Sequence, residues 1–163
     1  MYFAQADLLR GMSKDFIKRF MDNTVKETHR KGKLLFRAGN PANSFYVLLK
    51  GRIKLTVGET GQRVYTVDQP GEAFGWSSLL GRDAYSATAE CREQTKILRI
   101  DVAALNQILE QTPADGLIFF KRLAATLGNR LLQTYRMVST SSEPGISPSF
   151  GSSRVLESEA NIT

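Results

Sequence analysis

The spacing of apolar residues changes character near residue 30 and again near residue 101. From about Ala4 to Thr28, Phe16, Ile17, Phe20, Met21 and Val25 recur at helical spacing and Ser13 is placed to cap the longer part. An amphipathic helical lead-in is predicted there. Beyond it come short runs rich in β-branched and aromatic residues: KLLF (33–36), FYVLLK (45–50), RIKLTV (52–57) and RVYTV (63–67). Gly39-Asn40-Pro41, Gly51 and Gly58-Glu59-Thr60-Gly61 divide them, so each run predicts a strand bounded by a turn.

Gln69-Pro70-Gly71-Glu72 reads as a further turn, and Ala73 to Leu80 has room for one short helix. Two more strands, SATAECR (86–92) and TKILRI (95–100), flank the polar pair Glu93-Gln94. Asp101 then caps the helix DVAALNQILEQ, which ends at Thr112-Pro113, and Pro113 opens another helix running to about Val138. The pattern predicts a mainly β fold with flanking helices. It is a double-stranded β-helix or jelly-roll β-roll over about 31–101, with an N-terminal helical segment and C-terminal helices over about 102–138. Residues 1–138 are expected to form one domain, and the Ser-, Pro- and Gly-rich residues 139–163 a flexible tail.

Composition narrows the chemistry. The chain has 163 residues, 42% of them apolar, enough for a single core. No apolar run is long enough to span a bilayer and MYFAQADLLR lacks a signal-peptide layout, so a soluble, cytoplasmic protein is expected. One cysteine, Cys91, and one histidine, His29, are too few for a structural zinc site. Cys91 falls in an alternating segment and reads as a small buried strand residue rather than a nucleophile. His29, within KETHRKGK, reads as a solvated loop or helix-end residue, with a catalytic role the alternative.

The formal net charge is +6, and the excess lies early: Arg10, Lys14, Lys18, Arg19, Lys26, Arg30, Lys31 and Lys33 face only Asp7, Asp15, Asp22 and Glu27. Such a face is a solvated helix surface or an attractor for nucleic acid, acidic lipid or an acidic partner. No P-loop, dinucleotide fingerprint, nucleophile elbow or paired-carboxylate site is present, so the chain is not expected to be an enzyme.

Two segments, KGKLLFRAGNPANSFYVLLKGRIKL (31–55) and PGEAFGWSSLLGRDAYSATAEC (70–91), occur in an order that is similar to the cyclic-nucleotide-binding domain family. The likeness covers about residues 10 to 138. The second segment resembles the family's phosphate-binding cassette, in which a glycine-led short helix presents backbone N–H groups to an anionic phosphate. In nucleotide-binding members, the resemblance implies, a glutamate after that glycine takes the ribose 2′-hydroxyl. Ten residues past the glycine an arginine pairs with the phosphate, and an alanine lies two further on. Here the glycine is Gly75, but Trp76 and Tyr85 stand at the charged positions, while Ala87 is retained.

The candidate ligand-binding set is therefore Phe74, Gly75, Trp76, Ser77, Ser78, Tyr85, Ser86 and Ala87, with a cyclic nucleotide or another small molecule as the ligand. Trp76 and Tyr85 either grip a less charged or aromatic ligand or plug a disused cavity, with Tyr85 O–H and Trp76 N–H in need of acceptors. Arg82 and Arg63 are the nearby cations that could restore positive charge.

Leu117, Phe120, Leu127, Leu131 and Val138 form a stripe on the last helix, with Phe119, Leu123 and Ala124 beside it. The stripe either packs on the β-domain or pairs with a second copy in a homodimer. Only 25 residues follow Val138, so no helix-turn-helix and no specific DNA binding are expected; output would run through a second copy or a separate effector protein. Two functions remain open: a non-catalytic ligand-sensing module with a divergent pocket, and a ligandless dimerisation or interaction scaffold.

Overall fold

The computed structural model describes residues 8–58 and 62–141. Helix α1 spans Lys14–Asp22 and turns Phe16 and Phe20 inward, both fully buried. Ser13 caps it as expected, its Oγ accepting from the Phe16 N–H at 3.1 Å. The same hydroxyl donates to Asp115 Oδ2 at 2.6 Å, and the Ser13 N–H donates to Asp115 Oδ1 at 2.9 Å. Asp115 is buried in the first turn of helix α3 (Pro113–Ser141), where the helix dipole favours a carboxylate. One carboxylate thus ties the start of α1 to the start of α3.

The helical lead-in is shorter than its apolar spacing implies. It stops at Asp22, and Thr24–His29 is strand β1, so the roll begins near residue 24 rather than 31. Val25 fits a helical period, yet it is half-exposed and does not extend the buried face of α1. The β-branched Thr24, Val25 and Thr28 instead suit the antiparallel ladder with β8 (Thr95–Asp101), which runs from Thr24↔Ile100 to His29↔Thr95. Residues 4–7 of the expected helix lie outside the described residues. His29 accordingly sits on a strand, not in a loop or at a helix end, with Nε2 2.8 Å from Glu27 Oε2. Arg99 Nε donates to Glu27 Oε1 at 2.7 Å. Burial pushes the Glu27 carboxyl up, but these hydrogen bonds outweigh it and hold the group below its ordinary range.

The other strands are β2 (Leu34–Phe36), β3 (Ser44–Lys50), β4 (Ile53–Val57), β5 (Gln62–Val67), β6 (Ala73–Phe74) and β7 (Thr88–Cys91). They form two antiparallel four-stranded sheets, ordered β1-β8-β3-β6 and β2-β7-β4-β5, the predicted jelly-roll. Leu48, Ile53, Phe74, Ala89 and Ile97 are fully buried within it. Cys91 is also fully buried, and burial raises its thiol pKa, which fits a structural strand residue. Asp101 does precede helix α2 (Val102–Gln111), but its side chain makes no cap bond. Its Oδ1 accepts instead from Arg99 Nη1 at 3.2 Å and from Ser44 Oγ at 3.5 Å.

The chain divides into two compact units, residues 1–122 and residues 123–163. In the first, Phe119 packs against Phe16 and Phe45, with ring centroids 6.4 and 5.9 Å apart, while Leu117 and Phe120 of the same helix face outward. In the second, α3 continues past Val138 to Ser141, and Leu131, Leu132 and Met137 are half-exposed or more. Residues 142–163 of the expected tail lie outside the described residues. No described helix is long and apolar enough to cross a membrane.

Removing the buried Asp115 carboxylate takes away the partner of two Ser13 donors in a part-buried contact and unties α1 from α3. Asp115→Ala is expected to lower stability by about 1–3 kcal/mol, read as a lower urea midpoint with an unchanged slope.

Candidate functional site

Strand β6 runs through Gly75 into a single 3₁₀ turn at Trp76–Ser78. Gly75 has φ +79°, a left-handed conformation, and a Cβ placed on it would lie 2.8 Å from Tyr46 Cδ2 and 3.3 Å from the Ser44 carbonyl oxygen. Backbone and packing both require glycine here, and the group pressed against it is the Tyr46 ring. Ser78 Oγ turns back to donate to the Gly75 carbonyl at 2.9 Å. Phe74 is fully buried and Trp76 is 7% exposed.

Tyr85 points inward and is 5% exposed. Its ring stacks on Phe36 with centroids 3.8 Å apart and 17° between planes. Phe36 in turn lies 5.5 Å from Tyr46, and Tyr46 stacks on Phe74 at 5.1 Å. The Tyr85 hydroxyl donates to the Ser44 carbonyl at 2.6 Å and accepts from the Ser44 N–H at 3.0 Å. The Tyr46 phenol is its electrostatic neighbour. Burial raises both phenol pKa values, so the two rings stay neutral at physiological pH. The sequence left this O–H in need of an acceptor; the main chain of Ser44 supplies it.

The remaining candidates lie at the surface edge of the cassette. Ser77 and Ser86 have Oγ atoms 3.4 Å apart, and the Ser86 N–H reaches Ser77 Oγ at 3.4 Å. Ala87 is half-buried between Ser86 and the start of β7. The structure therefore separates the set: Phe74, Gly75, Trp76, Ser78 and Tyr85 belong to the interior, while Ser77, Ser86 and Ala87 are reachable from solvent. Arg82 is exposed, and the side chain of Arg63 lies outside the described residues. The cassette is also pinned from across the roll, because Gly39 N–H donates to the Tyr85 carbonyl, Tyr85 N–H to the Asn40 carbonyl and Ala42 N–H to the Asp83 carbonyl, all at 2.8–2.9 Å.

Phe36, Ser44 and Tyr46 complete this cluster and were not singled out from the sequence. Tyr46 and Phe36 look there like ordinary strand residues. The available signal was their shared aromatic character with Phe74 and Tyr85. Elsewhere, an open groove of ≈ 380 Å³ lies between α2 and the start of α3, lined by Leu109, Pro113, Gly116, Leu117 and Phe120. Among the described residues no cluster of His, Cys, Asp and Glu could hold a metal ion.

The profile of the cyclic nucleotide-binding domain matches residues 26–112, more than half of the chain. The chain belongs to the cyclic nucleotide-binding domain family. Among relatives, the cGMP-dependent protein kinase 2 of Homo sapiens is 30% identical over 111 residues, 65% of this chain but 14% of that protein. The global nitrogen regulator of a Nostoc species is 30% identical over 122 residues, 71% of this chain and 52% of the regulator. The chain thus spans only part of the length of these relatives. Solved structures agree on the fold. A cyclic nucleotide-binding domain from Methylobacillus flagellatus superposes with a TM-score of 0.75 at 20% identity, covering 89% of this chain and 85% of that one. The catabolite activator protein of Thermus thermophilus gives 0.66 at 23% identity, covering 82% and 62%.

Within this cyclic nucleotide-binding domain the Tyr85 hydroxyl has a structural task that can be measured. Tyr85→Phe leaves the stack intact but strands the Ser44 N–H and leaves the Ser44 carbonyl only the longer bond from Ser78 Oγ at 3.4 Å. A loss of about 1–3 kcal/mol in unfolding free energy is expected, with unchanged far-ultraviolet circular dichroism.

Proposed function

We propose that the chain is a non-catalytic regulatory module of the cyclic nucleotide-binding type that does not hold cyclic AMP or cyclic GMP tightly. Its cassette serves as core, and its output runs through α3. The observation that carries this reading is the Tyr85 side chain, stacked on Phe36 with its hydroxyl committed to both polar groups of Ser44. At the place where the family resemblance implies a phosphate-pairing arginine, a neutral phenol is turned into the interior. One charge-assisted hydrogen bond is worth ~1.5–3 kcal/mol, so its absence alone weakens phosphate binding on the order of ten- to a hundredfold. Admitting a nucleotide would further require breaking the bonds to Ser44.

The partner in this reading is a second copy, joined through α3, or a separate effector. Leu117, Ala124, Leu131 and Val138 recur every seventh residue along the helix, the spacing of a paired-helix seam, and Leu117 and Leu131 are 58% and 50% exposed. Specific DNA binding is not part of the proposal.

A second reading, a sensor for a small uncharged or weakly charged molecule, is favoured by the accessible edge formed by Ser77, Ser86 and Ala87. Calorimetry with cyclic AMP and cyclic GMP, together with native mass spectrometry of the protein as purified, separates the two. No heat with either nucleotide and no carried-over ligand are expected. A retained small molecule would support the sensor, and micromolar cyclic-nucleotide binding would overturn the main proposal. Trp76→Glu with Tyr85→Arg buries charge in an aromatic stack and is expected to lower the melting temperature without creating nucleotide affinity.

The helix seam has its own test. Light scattering should report a dimer, and Leu131→Glu should shift it to monomer at the same protein concentration; a wild-type monomer at high micromolar concentration would remove α3 as the route of self-association.

A further inference from the structure

The early basic residues do not share one face. Lys14, Lys18 and Arg19 ride on α1, whereas Arg30, Lys31 and Lys33 belong to the turn between β1 and β2. That turn meets two others. Strands β1, β3 and β7 all finish at the end of the roll where β8 begins, because β1 and β3 both run antiparallel to β8 and the chain returns from β7 into β8 there. Lys50 closes β3 and Arg52 lies just after the turn that follows it, and the turn after β7 carries Arg92 and leads to Lys96.

Main-chain bonds lock the three turns together. Gly32 N–H donates to the Cys91 carbonyl at 2.7 Å, Cys91 N–H to the Lys33 carbonyl at 2.9 Å and Arg92 N–H to the Arg52 carbonyl at 2.9 Å. Gly51 has φ +113°, and a Cβ there would lie 2.5 Å from Thr95 Oγ1, so the middle turn is pressed onto the start of β8. With strands about 4.8 Å apart and facing sheets about 10 Å apart, the roots of these cations fall within a patch roughly 10–15 Å across.

All seven cations are exposed. Of these seven, only Arg92 is in an ion pair with another described residue, Glu90 at 3.7 Å. Lys50 and Lys96 stand directly opposite one another in the β3–β8 ladder. Like charges in that position oppose pairing, and an anion held between them would relieve the repulsion.

We propose that this end of the roll is a docking surface for an acidic polypeptide segment of a partner protein. Glu93 decides between anionic partners. It is exposed at the tip of the third turn, among the cations. A uniformly anionic partner, whether a nucleic-acid backbone or a lipid surface, meets that carboxylate with repulsion, whereas a peptide places its own acidic residues around it. The three turns also hold no aromatic residue on which a base could stack.

The test uses the full chain and three probes: a fluorescein-labelled peptide of alternating glutamate and serine, a labelled DNA duplex, and vesicles of phosphatidylcholine with phosphatidylserine. Peptide binding is expected by fluorescence anisotropy, weakening as salt is raised. Arg52→Glu with Lys96→Glu should weaken it at least about tenfold. Lys96→Glu exchanges a like pair with Lys50 for an opposite one, so the melting temperature should not fall, and Lys14→Glu with Lys18→Glu on α1 should leave peptide affinity unchanged. No peptide binding, equal loss from the α1 variant, or tighter binding of duplex or vesicles than of peptide would overturn the proposal.

Discussion

A single residue, Ser44, gives both its N–H and its carbonyl to the hydroxyl of Tyr85. Ser44 opens β3, which lies between β8 and β6 in one sheet, and it faces Asp101 in the β8 register. A β-strand that starts beside a turn leaves its first polar groups without ladder partners, and buried polar groups that go unpaired are costly. Tyr85 resolves that problem from across the roll. In doing so it brings the cassette strand against β3, closes the stack of Phe36, Tyr46 and Phe74, and places Tyr46 where only glycine fits at position 75.

The same contact explains why charge at position 85 and the present core are alternatives rather than additions. A guanidinium has only donors and cannot accept from the Ser44 N–H. It would also lie against the Phe36 ring on which Tyr85 now stacks. In the proposed reading a binding pocket and a closed core compete for one volume here, and the main-chain N–H and carbonyl of Ser44 are satisfied in the closed form. The accessible serines, Ser77 and Ser86, are left at the rim and contact each other.

Most of the roll was legible because its strands are short, β-branched and punctuated by Gly and Pro. What was misread has a common cause. At Thr24–His29 the apolar spacing of α1 overlaps a segment whose fate is decided by a partner more than sixty residues away in sequence, and local periodicity carries no record of β8. The two-residue β6 is too short to show any alternation. Asp101 sits where a helix cap belongs, but Arg99 and Ser44 compete for its carboxylate. At the candidate site, the resemblance located the positions, and the residue types announced that charge was missing. The direction in which Tyr85 points was not readable, because it depends on Ser44 and Phe36, each brought in by a different strand.

The helices bear on whether such a domain needs a ligand to set its output. In the first turn of α3, Asp115 is held by both the N–H and the hydroxyl of Ser13, and the same hydroxyl caps α1. Phe119, one turn later, is enclosed by Phe16 and Phe45. These contacts fix the first turns of α3 through α1 and β3, without any group from Gly75–Ala87. The first turns of α3 are thus placed at folding by the protein's own hydrogen bonds and rings. This fits the proposal that the cassette serves as core: a ligand shifts an equilibrium only by its differential affinity for two states, and the contacts at the base of α3 favour the conformation described here whether or not a ligand is bound.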